Sequence, residues 1–460
     1  MPAQKQHTVG IVGGGITGLC AGFALQQRGF ACTVYEKGAA PGGVIRTHNE
    51  GGWLVELGPN TLMAKSQKVW NLIEALDLGD AVVRAGAEAK KRFIVKNGVP
   101  QPIPTSLMDF FRSDLLSAGA KLRLLKEPFV NRSNGNTSVA SFFEQRLGSE
   151  VADYLVNPFI AGIYAGDPRS LSVKHTFSSL FEMEQQHGSL LKGALFSARK
   201  KKRRTDPPAA GGLISFRQGL RQLTGALASR LESALKLESV VTGIAREGER
   251  WSLELNGASR SIPHDALIYT APLHRLTDIR CELERPAPSM LEELAGLRYA
   301  PVATVALGFE RSHVEHPLDG FGVLAPEAEN RTVLGCLFSS SLFENRAPES
   351  HLLLTSFVGG ERNPDLVDIP DARLGDLVLE DLRTLLGITG EPRFVQIHKW
   401  QHAIPQFGLE HQSQLDRMEA LEEANPGLYL TGNFRNEVSL PGCIEQAYET
   451  SDRVASFLKS

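Results

Sequence analysis

Three observations in this 460-residue chain predict an α/β fold combined with an α+β portion. An apolar strand, a glycine-rich turn, a helix and a second strand follow one another within residues 8–35, the order of a Rossmann-like unit. The far end of the chain repeats the strand-to-helix step, so both ends close one nucleotide domain and everything between them is inserted. Residues 300–360 alternate strand-like runs with turns, as an antiparallel sheet does, whereas residues near 99–195 keep mostly helical periodicity. The expected architecture is a Rossmann-like nucleotide domain, an antiparallel-sheet domain walling a cavity, and a mostly helical inserted domain.

Thr8 to Val12 reads as a buried strand, and Gly13, Gly14, Gly15, Ile16, Thr17 and Gly18 come directly after it in G-x-G-x-x-G spacing. Gly13 permits the tight turn, Gly15 lets a pyrophosphate approach the backbone, and Gly18 lets helix and strand pack closely. The next helix, with Leu19, Ala21, Ala24 and Leu25 apolar, ends near Gly29 and offers free N–H groups and a positive dipole end at its start. Ala31 to Tyr35 is the second strand. Glu36, 18 residues beyond Gly18, closes it where a carboxylate can accept both ribose hydroxyls of an adenosine.

Two further turns narrow the dinucleotide to FAD. Pro41, Gly42 and Gly43 form a second glycine loop, with Arg46 expected near the phosphates, and Glu56-Leu57-Gly58-Pro59-Asn60 marks another tight turn expected under the isoalloxazine ring. At the far end Leu428 to Leu430 is an apolar strand that breaks at Gly432 and Asn433. Pro441 and Gly442 then open a helix with Ile444, Ala447, Tyr448, Ala455 and Leu458 apolar, a second N-terminus for the phosphates or flavin. The single G-x-G-x-x-G site argues against a pyridine-nucleotide-linked reductase and for electrons leaving to oxygen or a small acceptor.

The expected division is residues 1–85, 206–275 and 425–460 for the FAD-binding domain, 86–98 and 276–424 for the substrate domain, and 99–205 for the helical domain. Val240 to Ile244, Trp251 to Leu255 and Ala266 to Thr270 read as strands returning to the nucleotide domain, with Val241 placed to bond an adenine through its backbone. Apolar clusters at Leu107 to Phe111 and Leu115-Leu116 are core, or else a membrane-facing or substrate-entry surface. The run Arg199 to Arg204 reads as an exposed linker, or as a patch drawn to anionic lipid.

Composition sets outer bounds. With 49 Lys plus Arg against 52 Asp plus Glu, no global field draws nucleic acid. Cys20, Cys32, Cys281, Cys336 and Cys443 form no C-x-x-C pair, so neither a disulfide framework nor a metal site is expected. No apolar stretch is long enough to span a bilayer. Met1 to His7 has no signal-peptide character, and a cytoplasmic setting, with peripheral contact on the inner face of the cell membrane left open, fits best.

The chain resembles the protoporphyrinogen oxidase family, in the flavin amine-oxidase-like group and closest to its plant-type, oxygen-dependent enzymes. The resemblance lies in Leu57 to Asn60, Lys91 to Ile94, Gly162 to Pro168, Gly320 to Leu324, Leu337 to Ser340, Phe357 to Gly360, Trp400 to Phe407 and the Gly432-Asn433 end. It implies non-covalent FAD held also by Ile16, Thr17, Lys37, Gly58, Pro59, Trp400, Leu440, Gly442, Cys443 and Ile444. It implies Arg92 as the cation for a substrate propionate, Leu324 and Leu337 around one pyrrole, Phe357 on another, and Gly162 facing the substrate. It further implies that hydride passes from a methylene bridge to flavin N5 in three rounds, each reoxidised by O₂ with hydrogen peroxide formed. Asn60 is the polar candidate beside the ring, and no general base is assigned.

Partners implied are a porphyrinogen, O₂, a membrane surface, a ferrochelatase-type next enzyme and a second copy of the chain. Glu56 replaces an Asp of the related turn, and the polar stretch Phe434 to Glu437 is expected to alter access near the flavin. Cys443 is expected as a buried helix-start thiol in preference to a thioether link. Coproporphyrinogen III, with four propionates, would ask for more cations than Arg92, to which only Lys91 and Arg346 could add. Other readings are a flavin amine oxidase, for which no aromatic cage or flavin-side lysine is identified, a carotenoid desaturase, and a flavin-carrying tetrapyrrole sensor.

Overall fold

The structure is a computed structural model and describes residues 7–133, 135–201, 212–258, 261–283 and 288–460. A five-stranded sheet runs in the order Leu235–Lys236, Ala31–Tyr35, Thr8–Val12, Ala266–Tyr269, Leu428–Leu430, every neighbour parallel. Its strands are apolar on both faces because both are covered. Val9, Ile11, Ala266 and Ile268 meet helices Ile16–Gln27, Arg221–Leu231 and Leu440–Lys459 on one side. Val12, Leu267 and Tyr269 meet Trp251 and Leu253 of a mixed four-stranded sheet on the other. Because the strands are parallel, Gly13, Thr270 and Thr431 follow their carboxyl ends at one edge, where open α/β sheets take ligands.

A seven-stranded sheet is ordered Phe394–Pro405, Tyr299–Glu310, His351–Gly359, Val333–Leu337, Gly322–Leu324, Phe93–Lys96, Val99–Pro102. All its pairs are antiparallel except Gly322–Leu324 with Phe93–Lys96. One face packs on helix Asp371–Leu386 through Val305, Leu307, Val358, Leu374, Val378 and Leu382. Val99–Pro102 turns back through Asn97 and Gly98, both at positive φ (54° and 76°), so helices begin only at Leu107, later than the expected boundary at 99.

The helical layer gathers Val139, Phe142, Phe143, Ile160 and Leu171 around one core. Beside that core lies a buried ionic cluster. Arg146, 1% exposed, pairs with Glu127 at 2.8 Å and with Glu184, both fully buried. Burial alone would push the Glu127 carboxyl up, but donors from Ser189, the Leu190 and Leu191 backbone and Arg146 together hold it below its ordinary value. These backbone donors open helix Leu190–Lys201, which therefore takes in the start of the basic run expected as linker. The remainder of that run, residues 202–204, lies outside the described residues. Among the described residues no helix is long and apolar enough to cross a membrane.

Removing one partner of a buried ion pair strands the other. Arg146→Ala, which leaves the buried Glu127 and Glu184 carboxylates without their cation, should cost about 3–5 kcal/mol, read as a lower urea midpoint with faster hydrogen exchange confined to the helical layer.

Candidate active site

Each glycine of the first turn has a distinct local reason. Gly13 sits at φ +108°, and a Cβ on Gly18 would stand 2.0 Å from the Gly13 carbonyl oxygen, so helix and strand touch there. A Cβ on Gly15 would meet nothing within 4 Å. No side chain caps helix Ile16–Gln27 and its first turn holds no acid, which leaves its N–H groups for an anion. Thr17 is buried behind this turn, against Cys443.

Glu36 is held at the rim. Its carboxylate accepts from the Gly14 and Gly38 N–H groups at 2.7 and 2.8 Å, a fixed orientation that keeps lone pairs for ribose hydroxyls. Lys37 beside it is exposed. The segment leading to Val241 runs along this edge, with Ser239 N–H donating to the Glu36 carbonyl, and Val241 itself sits at a bulge opposite Leu255. The second glycine loop lies on the first: Gly42 N–H donates to the Gly14 carbonyl at 2.8 Å, with Gly42 and Gly43 at φ +111° and +59°.

The next turn is fastened to the seven-stranded sheet. The Leu57 carbonyl accepts from Trp400 Nε1 at 2.7 Å and from Thr304 Oγ1 at 3.1 Å. A Cβ on Gly58 would lie 2.1 Å from the Val44 carbonyl oxygen, so the turns around residues 44 and 58 cross in contact. Pro59 carries the chain on to Asn60, whose Nδ2 donates to the Gly58 carbonyl. Arg46 is exposed, with its guanidinium over the Trp400 ring.

The C-terminal set divides. Gly432 and Asn433 follow the Leu428–Leu430 strand at the ligand edge. Leu440, Cys443 and Ile444 pack their side chains in a core shared with the first helix, as an apolar helical stripe does. The Cys443 thiol, buried against Thr17, is pushed up to about 12, which suits a packed neutral thiol. Helix Leu440–Lys459 supplies its own acceptor, Ser439 Oγ taking the Gly442 N–H, with the Glu437 carboxylate alongside. The uncapped first helix is therefore the better phosphate seat. Phe434, 1% exposed, and Arg435, bonded to Glu422 and the Leu430 carbonyl, turn into the body of the protein, while Asn436 and Glu437 are exposed.

The substrate-side residues share one face of the sheet. Leu324, Gly335, Phe357, Thr304 and His398 lie in one row of register, and Gly322, Leu337 and Thr355 in the next. Leu324, Leu337 and Phe357 are half-buried while their neighbours Val323, Cys336 and Val358 are in the core beneath, the alternation that pleating dictates. Gly162, on helix Asn157–Tyr164, abuts Leu324: a Cβ there would be 2.7 Å from Leu324 Cδ2. Ile94 pairs with Leu324 in parallel, so Arg92, two residues earlier, belongs to the same face, exposed and laid over the Phe321 ring.

Sequence reasoning missed the cluster under Asn60. Glu56, 3% exposed, accepts from Thr47 Oγ1 and the Leu220 N–H, both at 2.7 Å. Arg346, equally buried, lies 3.8 Å from it and donates to Ser215 Oγ. Burial pushes the Glu56 carboxyl up to about 7 even though Thr47 and Arg346 oppose the shift. Glu56, Asn60, Leu337, Ser339, Arg346 and Thr355 line one small cleft. In sequence Glu56 reads only as a mild change in a turn, since its partners are far away along the chain.

FAD fits this cradle: the space over Gly15, the uncapped helix start and the oriented Glu36 carboxylate match its pyrophosphate and ribose. A dinucleotide seat joined to an apolar sheet face makes this a FAD-dependent oxidoreductase. The chain belongs to the flavin containing amine oxidoreductase family, which matches it over residues 16–456. A mitochondrial protoporphyrinogen oxidase of Nicotiana tabacum is 34% identical over 98% of this chain and 95% of its own length. A coproporphyrinogen III oxidase of Bacillus subtilis is 30% identical over the whole of both chains. A crystal structure from Exiguobacterium sp. 255-15, provisionally assigned as a protoporphyrinogen oxidase, superposes with a TM-score of 0.83 at 27% identity over 100% of both chains. A putrescine oxidase, 16% identical with a TM-score of 0.72 over 98% of this chain and 99% of its own, shares the fold.

The two glycines should fail differently. Gly18→Ala should not give folded protein, whereas Gly15→Ala should fold and bind FAD at least about ten-fold more weakly, as measured by circular dichroism and by flavin bound per chain.

Proposed function

We propose that this chain oxidises protoporphyrinogen IX to protoporphyrin IX with O₂ as terminal acceptor. The observation that carries the reading is the supply of cations around the apolar wall. Lys91 is paired with Asp319 at 2.6 Å, and Arg346 is buried on Ser215 and Glu56. Arg92 is exposed and, among the described residues, has no carboxylate partner. One free cation at the mouth suits a macrocycle with two propionates better than one with four, because each unpaired carboxylate drawn out of water costs several kcal/mol. Both kinds of relative, protoporphyrinogen and coproporphyrinogen III oxidases, support a porphyrinogen as substrate.

Bound FAD supplies the hydride-accepting chemistry, and O₂ takes the electrons to give hydrogen peroxide, three times over for the full six-electron change. The chain does the rest. Leu324, Leu337 and Phe357 hold the flexible macrocycle by the flat faces of its pyrrole rings, and Gly162 lets a pyrrole lie close to the helix. Arg92, steadied on Phe321, takes a propionate at the mouth. The turn from Leu57 to Asn60, pinned by Trp400 and Thr304, sets the reacting carbon's distance and keeps water out.

The test is anaerobic stopped-flow bleaching of the flavin with protoporphyrinogen IX and coproporphyrinogen III at equal concentration. Fast reduction by the first alone is expected; the reverse order would move the enzyme to the coproporphyrinogen route, and no bleaching by either would discard porphyrinogens. Arg92→Ala should raise the Michaelis constant roughly ten-fold or more with full flavin retained. An unchanged constant would remove Arg92 from the site.

A membrane surface is the partner we propose for the helical layer. Met108, Phe111, Leu122, Leu125, Phe129, Leu195 and Phe196 are 58–87% exposed, with Arg112, Lys126 and Lys192 exposed among them. Co-sedimentation with phosphatidylglycerol vesicles, lost in Phe111→Asp and Phe129→Asp and weak on phosphatidylcholine, is the expected result. Equal recovery in the supernatant with and without vesicles would dismiss it.

A further inference from the structure

Oxidation of a porphyrinogen must dispose of protons as well as hydrides, and neither the apolar wall nor Arg92 can take them. The cleft under Asn60 holds a carboxylate suited to it. Glu56 stands at the end of strand Trp53–Glu56, immediately before the turn that Leu57 fixes to the sheet, and shares its cleft with Asn60, Leu337 and Thr355. Leu337 and Thr355 belong to the substrate wall, so the cleft opens from that wall down to the acid. Ser339 and Thr355, 2.7 Å apart, add hydroxyls along it. Among the described residues lining the cleft, Glu56 is the one carboxylic acid.

We propose that Glu56 is the proton acceptor of the reaction, taking the pyrrole N–H proton through solvent in the cleft beside Asn60. This rests on a porphyrinogen being the substrate. In each round a bridging C–H bond breaks with its electron pair leaving as hydride to the flavin. The neighbouring N–H bond breaks with its pair staying in the macrocycle, where the new double bond forms; after the third round one bridge hydrogen shifts as a proton to a pyrrole nitrogen, which leaves the product its two N–H groups. The proton becomes the O–H of Glu56 and passes to solvent before the next round. The substrate thus loses two electrons and two protons.

The groups facing Glu56 set when it can act. Arg346 and Arg221 favour its charged form, as do the hydrogen bonds from Thr47 and the Leu220 N–H, while burial disfavours it and prevails, raising the carboxyl to about 7. A raised acid is ionised, and so able to accept, only above that value. The anaerobic flavin-reduction rate should therefore climb as pH rises through about 7 and then level.

The experiment compares wild type, Glu56→Gln, Glu56→Asp and Thr47→Val. Glu56→Gln should reduce its flavin roughly 10²-fold more slowly with a flat pH profile, and Glu56→Asp should restore the rising profile. Thr47→Val removes a hydrogen bond that lowers the value, so its inflection should move to higher pH. Independently of turnover, infrared difference spectra between acid and neutral pH should carry a protonated-carboxyl band that is missing in Glu56→Gln. A sloped profile kept by Glu56→Gln, or an unmoved inflection in Thr47→Val, overturns the assignment. If wild-type flavin is not reduced by any porphyrinogen while the infrared band titrates as expected, the substrate reading is what has failed.

Discussion

One backbone carbonyl is shared by the two halves of this site. Leu57 belongs to the nucleotide side of the chain, and its oxygen spends both lone pairs on the seven-stranded sheet, one on the Trp400 indole and one on the Thr304 hydroxyl. Everything the site needs hangs on that joint. Glu56 precedes it, Gly58 crosses the second glycine loop just after it, and Asn60 closes the turn over the wall. A buried carbonyl stripped of both donors would cost a few kcal/mol. It would also free the turn to slide over the sheet, which a reaction sensitive to fractions of an ångström would not survive.

The sheet itself does two jobs along each strand. Inward residues such as Val323, Cys336 and Val358 bury against helix Asp371–Leu386, and the alternating residues Leu324, Leu337 and Phe357 are left half-exposed. Each of those side chains forgoes part of the about 1.5–3 kcal/mol that full burial brings. A flat apolar ligand recovers it. The rigidity of the wall is thus supplied by the opposite face, and the free energy of binding is held in reserve on this one.

The features legible in the sequence were local. The order strand, G-x-G-x-x-G, helix, strand, Glu36 fixes its own geometry through neighbouring residues, and packing requires two of the three glycines, Gly13 through its positive φ and Gly18 through its contact with the Gly13 carbonyl, while the space over Gly15 is left open. The strand Val99–Pro102 was hidden by its prolines, although Asn97-Gly98 is a hairpin signal and its positive φ angles bear that out. The side chains of Leu440, Cys443 and Ile444 pack in the core, as the periodicity of their helix marks. Glu56 and Arg346 could not be paired in advance: 290 residues separate them, and the raised carboxyl arises only from folding.

The parallel sheet also has a history imposed by its strand order. Its central strands, Thr8–Val12 and Ala266–Tyr269, lie next to each other, and the edge strand Leu428–Leu430 joins last. On the ribosome the first glycine loop exists for most of translation without the strands that complete its crevice. At about 5–20 residues per second that interval lasts tens of seconds. Nascent chains therefore carry an apolar, unpaired strand edge until Leu428–Leu430 pairs with Ala266–Tyr269, and the crevice at the ligand edge is complete only then.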